Sequence, residues 1–178
     1  MATPTITCPI PSNITPLSPN GFLFSIQKLP ELNFFAQSVN LPGITLGSPE
    51  FGNPFQVQPI PGETLTYDQL TIQFLIDENM ANYQAIYNWI IALGFPNNYE
   101  QYTTFINAED RGAISELAAN YSDGTLQILG GNNQVVKTVQ FVDMFPITID
   151  SLQFSGTNTD VQYLIGNATF RYGYYKFL

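Results

Sequence analysis

The stretch TIQFLIDENMANYQAIYNWIIALGFP, residues 71–96, changes from one hydrophobic period to another at Asp77. Before Asp77, apolar residues alternate with polar ones, which predicts a half-buried β-strand. After it, apolar residues recur at three- and four-residue steps, which predicts an amphipathic α-helix over residues 77–93. Asp77 or Asn79 can cap the start of this helix, and Gly94 favours its end. The apolar residues of the strand are Leu70, Ile72, Phe74 and Ile76, and those of the helix are Met80, Tyr83, Ile86, Tyr87, Ile90 and Leu93.

Most of the other segments are predicted to be strands. GFLFSIQK, residues 21–28, places Phe22, Phe24 and Ile26 on one face, and LNFFAQSVN, residues 32–40, is expected to be its hairpin partner. An isolated helix of about three turns is marginal in water. We therefore expect the one principal helix to pack on the outside of a sheet.

The C-terminal part of the chain repeats the strand pattern. TLQIL (residues 125–129) and VVKTVQFVDMF (residues 135–145) flank GGNNQ, whose Gly and Asn residues favour a hairpin turn. Pro146 is expected to end one strand, and ITIDSLQFS to begin the next. GTNTD, residues 156–160, is predicted to be a turn, and residues 161–177 a long final strand. One face of that strand would carry Ala168, Phe170, Tyr172 and Tyr174.

Two proline-rich segments are expected to lie outside the regular sheet. Residues 1–20 contain five prolines, which favour an extended arm. Residues 41–63 contain five prolines and four glycines between short strand-like pieces. A structureless loop of this length is uncommon in a compact domain, so the segment is either disordered or functional. Because its apolar content is high for a disordered linker, we favour a long hairpin.

The length of the chain and its predicted elements indicate a single mainly β domain over residues 1–178 with one principal helix. Charged residues make up only 11% of the chain, about half the usual share for a soluble domain. Aromatic residues reach 14%. Much of the surface must therefore be uncharged, and its composition resembles that of an interface.

The net charge of −9 disfavours tight binding to nucleic acid. The five basic residues are scattered, and none forms the run that neutralises phosphates. They are Lys28, Arg111, Lys137, Arg171 and Lys176. The sequence shows no basic start followed by an apolar segment, and no run of about 18 apolar residues, so we expect no signal peptide and no membrane span.

The residue types also limit the chemistry of the chain. The absence of histidine removes the common nucleophilic triads and all histidine-containing metal sites. The single cysteine, Cys8, has no neighbouring base and cannot form an intramolecular disulfide. Two carboxylate pairs, Asp77 with Glu78 and Glu109 with Asp110, could serve a glycosidase, although helix capping and a solvated loop are favoured. We expect no catalytic, cofactor-binding or metal-binding residues, and no enzyme.

Three segments together resemble a known family. They are FSIQKLPELNFFAQSVNLPGI, IPGETLTYDQLTIQFLIDENMANYQAIYNWI and VQFVDMFPITIDSLQFSGTNTDVQYLIGNATFRYGYY. Their order and their LPGI, strand-to-helix and DMFP units are similar to those of the tail tube proteins of contractile-tailed bacteriophages (myoviruses) and of the baseplate proteins that initiate the tube. The proline-rich arm of residues 1–20 and the insert of residues 97–123 depart from the family pattern.

The resemblance implies a β-sandwich-like or β-barrel-like fold with the helix on the outside of the sheet. It also implies a structural virion protein that assembles as homo-hexameric rings, which stack into the DNA-conducting inner tube of a contractile tail. Implied partners are further copies of the chain, the tail sheath protein, and baseplate and terminator proteins. DNA would pass through an acidic lumen during ejection without tight binding, and assembly would take place in the host cytoplasm. The candidates for contact between subunits lie in the segment of residues 41–63. They are Leu46, Phe51, Phe55, Val57 and Ile60.

Three functions remain open at this point. The first is the main tube subunit, and the second is a baseplate tube initiator or a tail terminator ring of the same fold. The third belongs to another class, a carbohydrate-binding or glycosidase β-sandwich that uses carboxylates and the tyrosines at positions 172, 174 and 175.

Overall fold

The computed structural model describes residues 14–52, 55–94, 96–103, 120–156 and 163–178. Over these residues the protein is mostly β. The strands are β1 (Phe22–Ile26), β2 (Ala36–Val39), β3 (Ile44–Leu46), β4 (Glu50–Gly52), β5 (Val57–Pro59), β6 (Leu65–Tyr67), β7 (Leu70–Leu75), β8 (Ser122–Leu129), β9 (Val135–Ile149), β10 (Ile165–Arg171) and β11 (Tyr174–Phe177). Two helices lie within the described residues with both ends defined, α1 (Leu32–Phe35) and α2 (Ala81–Gly94).

Seven strands form one antiparallel sheet, in which β1, β8, β9, β10, β7 and β2 follow one another and β11 also pairs with β9. The GGNNQ turn predicted between β8 and β9 is confirmed, since Ile128 lies opposite Lys137 across it. β9 is 15 residues long and connects the two halves of the sheet. Its first part pairs with β8 and its last part with β10.

A bulge bends β9 where it passes from one half of the sheet to the other. Between the pairs Gly124–Phe141 and Ser122–Met144, β9 has one more residue than β8. Asp143 lies in this bulge with φ at 54°, a left-handed conformation that Asp tolerates better than most residues. The bulge increases the local twist of the sheet and turns the strand toward β10.

The prediction that Pro146 ends a strand is wrong. Pro146 lies inside β9, opposite Phe170 of β10. Among the described residues, β8 pairs with β9 only as far as Met144, so β9 has a partner on one side at this point. A strand with one open side tolerates a residue that lacks a backbone N–H.

The prediction that residues 32–40 form a hairpin with the first strand is also wrong. β1 pairs with β8, and β2 pairs with β7, so the two strands lie at opposite ends of the strand order. The segment between β1 and β2 is anchored in the core by the buried residues Leu29 and Leu32. The Asn33 side-chain oxygen of α1 accepts a hydrogen bond from the backbone N–H of Ile26 at 3.2 Å, which closes the end of β1.

Helix α2 begins at Ala81 rather than at Asp77, and neither Asp77 nor Asn79 caps it. Met80 has φ at 54° and donates its N–H to the carbonyl of Asp77, so these residues form a turn. The side chain of Asn82 connects the end of β7 with the start of α2 instead. Its oxygen accepts from the N–H groups of Asp77 and Tyr83, and its amide donates to the carbonyl of Leu75 at 2.7 Å.

The buried face of α2 differs in part from the predicted one, although Tyr83, Ile90 and Leu93 do pack against the core. The buried residues are Asn82, Ile86, Trp89 and Ala92. Tyr87, which the sequence places on the apolar face, is half exposed. The Trp89 ring lies 6.4 Å from the Phe170 ring of β10, so the expected packing of the helix on the sheet is present. The helix and both halves of the sheet share one buried cluster.

The alternation predicted for the first and the central strands is confirmed. Phe24 and Ile26 of β1 are buried, as are Leu70, Ile72 and Phe74 of β7. The final strand differs from its prediction, because it is interrupted between β10 and β11. The side chains of Tyr172 and Tyr175 pack against the core, whereas Tyr174, which was predicted to share a face with Tyr172, is exposed.

Candidate assembly surface

Residues 44–67 form a two-part β-hairpin, called the long hairpin below. β3 pairs with β6 at its base, and β4 pairs with β5 toward its tip. Backbone hydrogen bonds connect the two parts, among them Gly62 N–H to the Gly47 carbonyl at 2.7 Å. The two sides of the hairpin approach so closely here that a Cβ atom on Gly62 would lie 2.4 Å from the Gly47 oxygen. Glycine is therefore required at this crossing.

The apolar side chains of the long hairpin face solvent. Phe51 is 60% exposed and Phe55 is 97% exposed. All residues of β3, β4 and β5 are exposed, so both faces of the hairpin are uncovered. The exposed apolar residues are Ile44, Leu46, Phe51, Phe55, Val57, Ile60 and Leu65, which include the five candidates taken from the sequence. An apolar surface of this kind on one projecting element is typical of an interaction site.

Aromatic residues hold the base of the long hairpin on the body. The Tyr67 ring of β6 lies 5.9 Å from the Tyr172 ring and 5.8 Å from the Tyr175 ring. Both of these rings contact buried Phe141 of β9, with centroids at 5.1 and 5.8 Å. Tyr175 also contacts Phe177, 5.9 Å away. We call these five residues the base cluster.

Two hydroxyls of the base cluster bind the backbone on either side of the long hairpin. The Tyr172 hydroxyl donates to the Asp68 carbonyl at 2.9 Å, and the Tyr175 hydroxyl donates to the Pro42 carbonyl at 3.2 Å. Burial, and then the neighbouring Tyr175, Asp68 and Tyr67, raise the pKa of Tyr172 to about 12. The hydroxyl therefore keeps its proton, and remains a donor, throughout the neutral pH range.

Sequence reasoning assigned the C-terminal tyrosines to a sheet face and missed their connection to the long hairpin. Tyr67 lies far from Tyr172 in the sequence, and no spacing rule links two aromatic residues across such a distance. Their meeting depends on β11 pairing with β9, which brings Tyr175 opposite Phe141.

The sheet offers open strand edges to a partner. Within the described parts of the chain, β1, β2 and β11 each pair on one side only, with β8, β7 and β9 respectively. Unpaired edges can add strands from another chain, and a ring of subunits is one arrangement that covers them.

An apolar groove lies at the end of β7 opposite the long hairpin. Its volume is about 570 Å³. The lining residues are Phe35, Leu75, Ile76, Asp77, Glu78, Met80, Phe154, Tyr163 and Leu164. The long hairpin adjoins the start of β7, and the groove adjoins its end, roughly 20 Å away at the usual rise of a strand. The two ends of the subunit are therefore different.

The candidate residues for catalysis or metal binding are only partly described by the structure. Asp77 and Glu78 border the apolar groove. The Asp150 carboxylate accepts a hydrogen bond from the Asn167 amide at 3.0 Å. Cys8, the pair Glu109 and Asp110, Arg111, and most of the GTNTD turn lie outside the described residues. In the portion that is described, no three His, Cys, Asp or Glu side chains are grouped so that they could hold a metal ion.

None of the described helices is both long enough and apolar enough to span a membrane.

An apolar projecting hairpin, open sheet edges and two unlike ends define a structural subunit that assembles with other chains. Residues 6–178 match the family model of the phage tail tube protein. The chain belongs to this family, which consists of structural components of phage tails and not of enzymes. The resemblance seen in the sequence and the mainly β fold class are thereby confirmed.

Individual relatives give more detail. The tail tube terminator protein of Enterobacteria phage T4 is 28% identical over 145 residues, which span 79% of this chain and 75% of that protein. The anti-feeding prophage cap, a tube-terminating cap, shares the fold with a TM-score of 0.57 and 13% identity, and 98% of each chain is covered. The sheath/tube terminator of the PVC extracellular contractile injection system, in its extended state, has a TM-score of 0.53 and 16% identity, with 97% of this chain and 99% of that chain covered.

A third solved structure extends the range of proteins with this fold. The baseplate of the anti-feeding prophage, in a 6-fold symmetrised structure, contains a chain with a TM-score of 0.58 and 15% identity. The match covers 92% of this chain and 96% of that one.

Proposed function

We propose that this protein is a tail tube terminator, the subunit of a ring that closes the end of the tube in a contractile tail and stops its growth. The observation that carries the proposal is the similarity to the phage T4 tail tube terminator along three quarters of that protein. The sequence alone put the main tube subunit first and the terminator second. The relationship to a terminator reverses that order.

The ring is proposed to be a homo-hexamer. The open edges of β1, β2 and β11 provide backbone groups that neighbouring copies can pair with, and a closed ring pairs one edge of each subunit with an edge of the next. The exposed apolar residues of the long hairpin supply the buried area that a stable contact requires.

The unlike ends of the subunit suit a terminator. A ring with the long hairpins on one side and the apolar grooves on the other presents different surfaces to the tube and to the far side. Contact between unlike surfaces is heterologous, and it propagates as a filament unless the next ring lacks a matching surface. A terminator uses one surface to bind the tube and has no further copy of itself stacked on the other.

The proposed partners follow from this position. They are the last ring of tail tube protein, the sheath protein around it, and further tail components beyond the ring. The net charge of −9 favours an acidic lumen, which repels phosphate and lets DNA pass without being held. Assembly is proposed to occur in the host cytoplasm before the tail joins the virion.

The test combines electron microscopy of the purified protein with a tube-growth assay. We expect single rings that do not polymerise alone, and we expect the added protein to arrest the growth of tubes formed by the tube protein of the same phage. Hollow tubes formed by this protein alone would identify it as the main tube subunit. Faster tube nucleation in place of arrest would identify a baseplate initiator. A protein that stays monomeric and leaves tube growth unchanged would overturn the assembly function.

A further inference from the structure

We propose that the hydroxyls of Tyr172 and Tyr175 form a two-point clamp that fixes the direction in which the long hairpin leaves the body, and so orients the hairpin before assembly. The link to assembly rests on the proposed ring-forming function. The clamp itself is a property of the isolated subunit.

The two hydrogen bonds involve the segments on both sides of the long hairpin. Pro42 lies just before β3, and Asp68 lies just after β6. The Tyr175 hydroxyl therefore binds the segment that enters the hairpin, and the Tyr172 hydroxyl binds the segment that leaves it. The Asp68 N–H also donates to the Gly43 carbonyl at 3.1 Å, which joins the two chains at the same level. A tilt of the hairpin about its base would therefore lengthen at least one of the two tyrosine bonds.

The clamp is mounted on the rigid part of the molecule. Tyr175 belongs to β11 and faces Phe141 of β9, and Phe141 is fully buried. Tyr172 contacts the same Phe141 ring edge to face. Tyr67, at the end of the hairpin, packs its ring against both of these tyrosines. The hydroxyls are thus held at fixed positions relative to the core of the sheet.

Beyond the base cluster and the hydrogen bonds at its flanks, the hairpin is not packed on the core. No described residue from Ile44 to Leu65 belongs to the buried cluster or to the side chains packed against it. From Ile44 to Phe55 the hairpin can reach roughly 40 Å at the usual rise of a strand, so a tilt of about 10° at its base would move the tip by roughly 7 Å. A small error at the base becomes a large displacement of the apolar tip.

Orientation before binding matters because a mobile hairpin must be immobilised when subunits meet. Ordering a flexible segment on association lowers affinity, and a segment that is already in its bound orientation avoids that cost. A tyrosine hydroxyl is suited to this role here. It can donate to a backbone carbonyl while its ring packs on the core.

The test uses the double variant Tyr172→Phe with Tyr175→Phe, which removes both hydroxyls and keeps both rings. The matched control is Tyr83→Phe, which removes a hydroxyl that donates to the Asp150 carbonyl at 3.3 Å, away from the hairpin. Amide hydrogen exchange of the isolated subunit reports on the hairpin, with the amides of β7 as the internal reference. Binding of the subunit to tubes formed by the tube protein of the same phage reports on assembly.

We expect exchange in the long hairpin to rise roughly tenfold to a hundredfold in the double variant, while exchange in β7 stays unchanged. Binding to tubes should weaken by a similar factor, and Tyr83→Phe should alter neither measurement. Unchanged hairpin exchange would overturn the clamp. Equal rises in the hairpin and in β7 would show a general loss of stability instead, and would also overturn it.

Two further outcomes keep the clamp and the terminator function separable. Faster hairpin exchange with unaltered tube binding would contradict the link between orientation and assembly. A wild-type protein that fails to bind tubes, but whose hairpin exchange rises in the double variant, would overturn the terminator function and leave the clamp standing. If the double variant does not fold, each single variant is expected to show a smaller rise in hairpin exchange, and no rise in either would contradict the clamp.

Discussion

Asn82 shows how one buried polar side chain can position a whole helix. Its amide group satisfies two backbone N–H groups and one carbonyl at the point where β7 gives way to α2. The Asn82 side chain itself is 1% exposed, so these hydrogen bonds are made at a buried position. A buried polar group left without a partner costs more than the bond itself contributes.

We therefore expect Asn82→Ala to lower the free energy of unfolding by about 2–3 kcal/mol, because three backbone groups lose a partner. Chemical denaturation of the isolated subunit measures this change. The matched control is Asn88→Ala, which removes the same side chain from the exposed face of the helix and should change stability by less than about 0.5 kcal/mol. Equal effects of the two substitutions would contradict the role of Asn82.

Tyr172 gives the structure a pH dependence at the alkaline end. Its pKa is raised from 10.0 to about 12, chiefly by burial, so folding favours the neutral hydroxyl. Its contribution to stability is complete below pH 10 and is lost as the pH rises through about 12. We expect the wild-type protein to lose stability more steeply over this interval than Tyr172→Phe, as measured by thermal unfolding. Parallel curves for the two proteins would exclude this contribution.

At the scale of elements, the sequence predicted those features that depend on local periodicity. The alternation of β7 and the Gly-Asn turn between β8 and β9 are present in the structure, and so is the packing of α2 on the sheet. These patterns record burial directly, because a strand exposes every second residue and a helix exposes one face.

The predictions from the sequence are wrong where an unusual backbone conformation or a distant partner determines the secondary structure. The positive φ of Met80 delays the start of α2, and the amide of Asn82 replaces the expected cap. The bulge at Asp143 carries β9 past Pro146. The pairing of β1 with β8 joins residues about a hundred positions apart in the chain. Hydrophobic periodicity encodes none of these three features, since the first depends on a turn and a side-chain hydrogen bond and the others on distant strands.

Gly62 allows a direct test of the long hairpin as an element. A Cβ atom at this position would lie 2.4 Å from the Gly47 oxygen, so Gly62→Ala must separate the two chains. We expect faster amide exchange in the hairpin and little change in global unfolding, since no hairpin residue from 44 to 65 belongs to the core. Gly52→Ala, where a Cβ atom meets nothing within 4 Å, is the control. Similar exchange in both variants would show that the crossing is not tight.

At the scale of the whole molecule, apolar surface is divided between an internal core and an external hairpin. The core cluster stabilises the subunit, and the exposed apolar side chains of the hairpin are proposed to contact other chains. The sequence predicted the apolar composition of residues 41–63, but it could not place the base cluster or the groove, because both combine residues from distant segments.

A substitution at Phe51 distinguishes the contribution of apolar surface to binding from its contribution to stability. Phe51→Ser should change the free energy of unfolding of the isolated subunit by no more than about 0.5 kcal/mol, since the side chain is largely exposed. It should weaken binding to tubes by on the order of tenfold, as expected for the loss of an aromatic anchor. Gln58→Ser, opposite Phe51 on the neighbouring strand, is the control and should leave binding nearly unchanged. Normal tube binding by Phe51→Ser would remove this residue from the contact.

The strand order also constrains how the chain can fold during synthesis. Phe22 of β1 pairs with Ile128 of β8, so the first strand leaves the ribosome long before its partner is translated. β9 joins the two halves of the sheet and emerges later still. Pairings between such distant segments form slowly, and until they do the apolar side of β1 is open to other nascent chains. We expect the yield of native protein to depend on chaperones that shield the N-terminal part during translation.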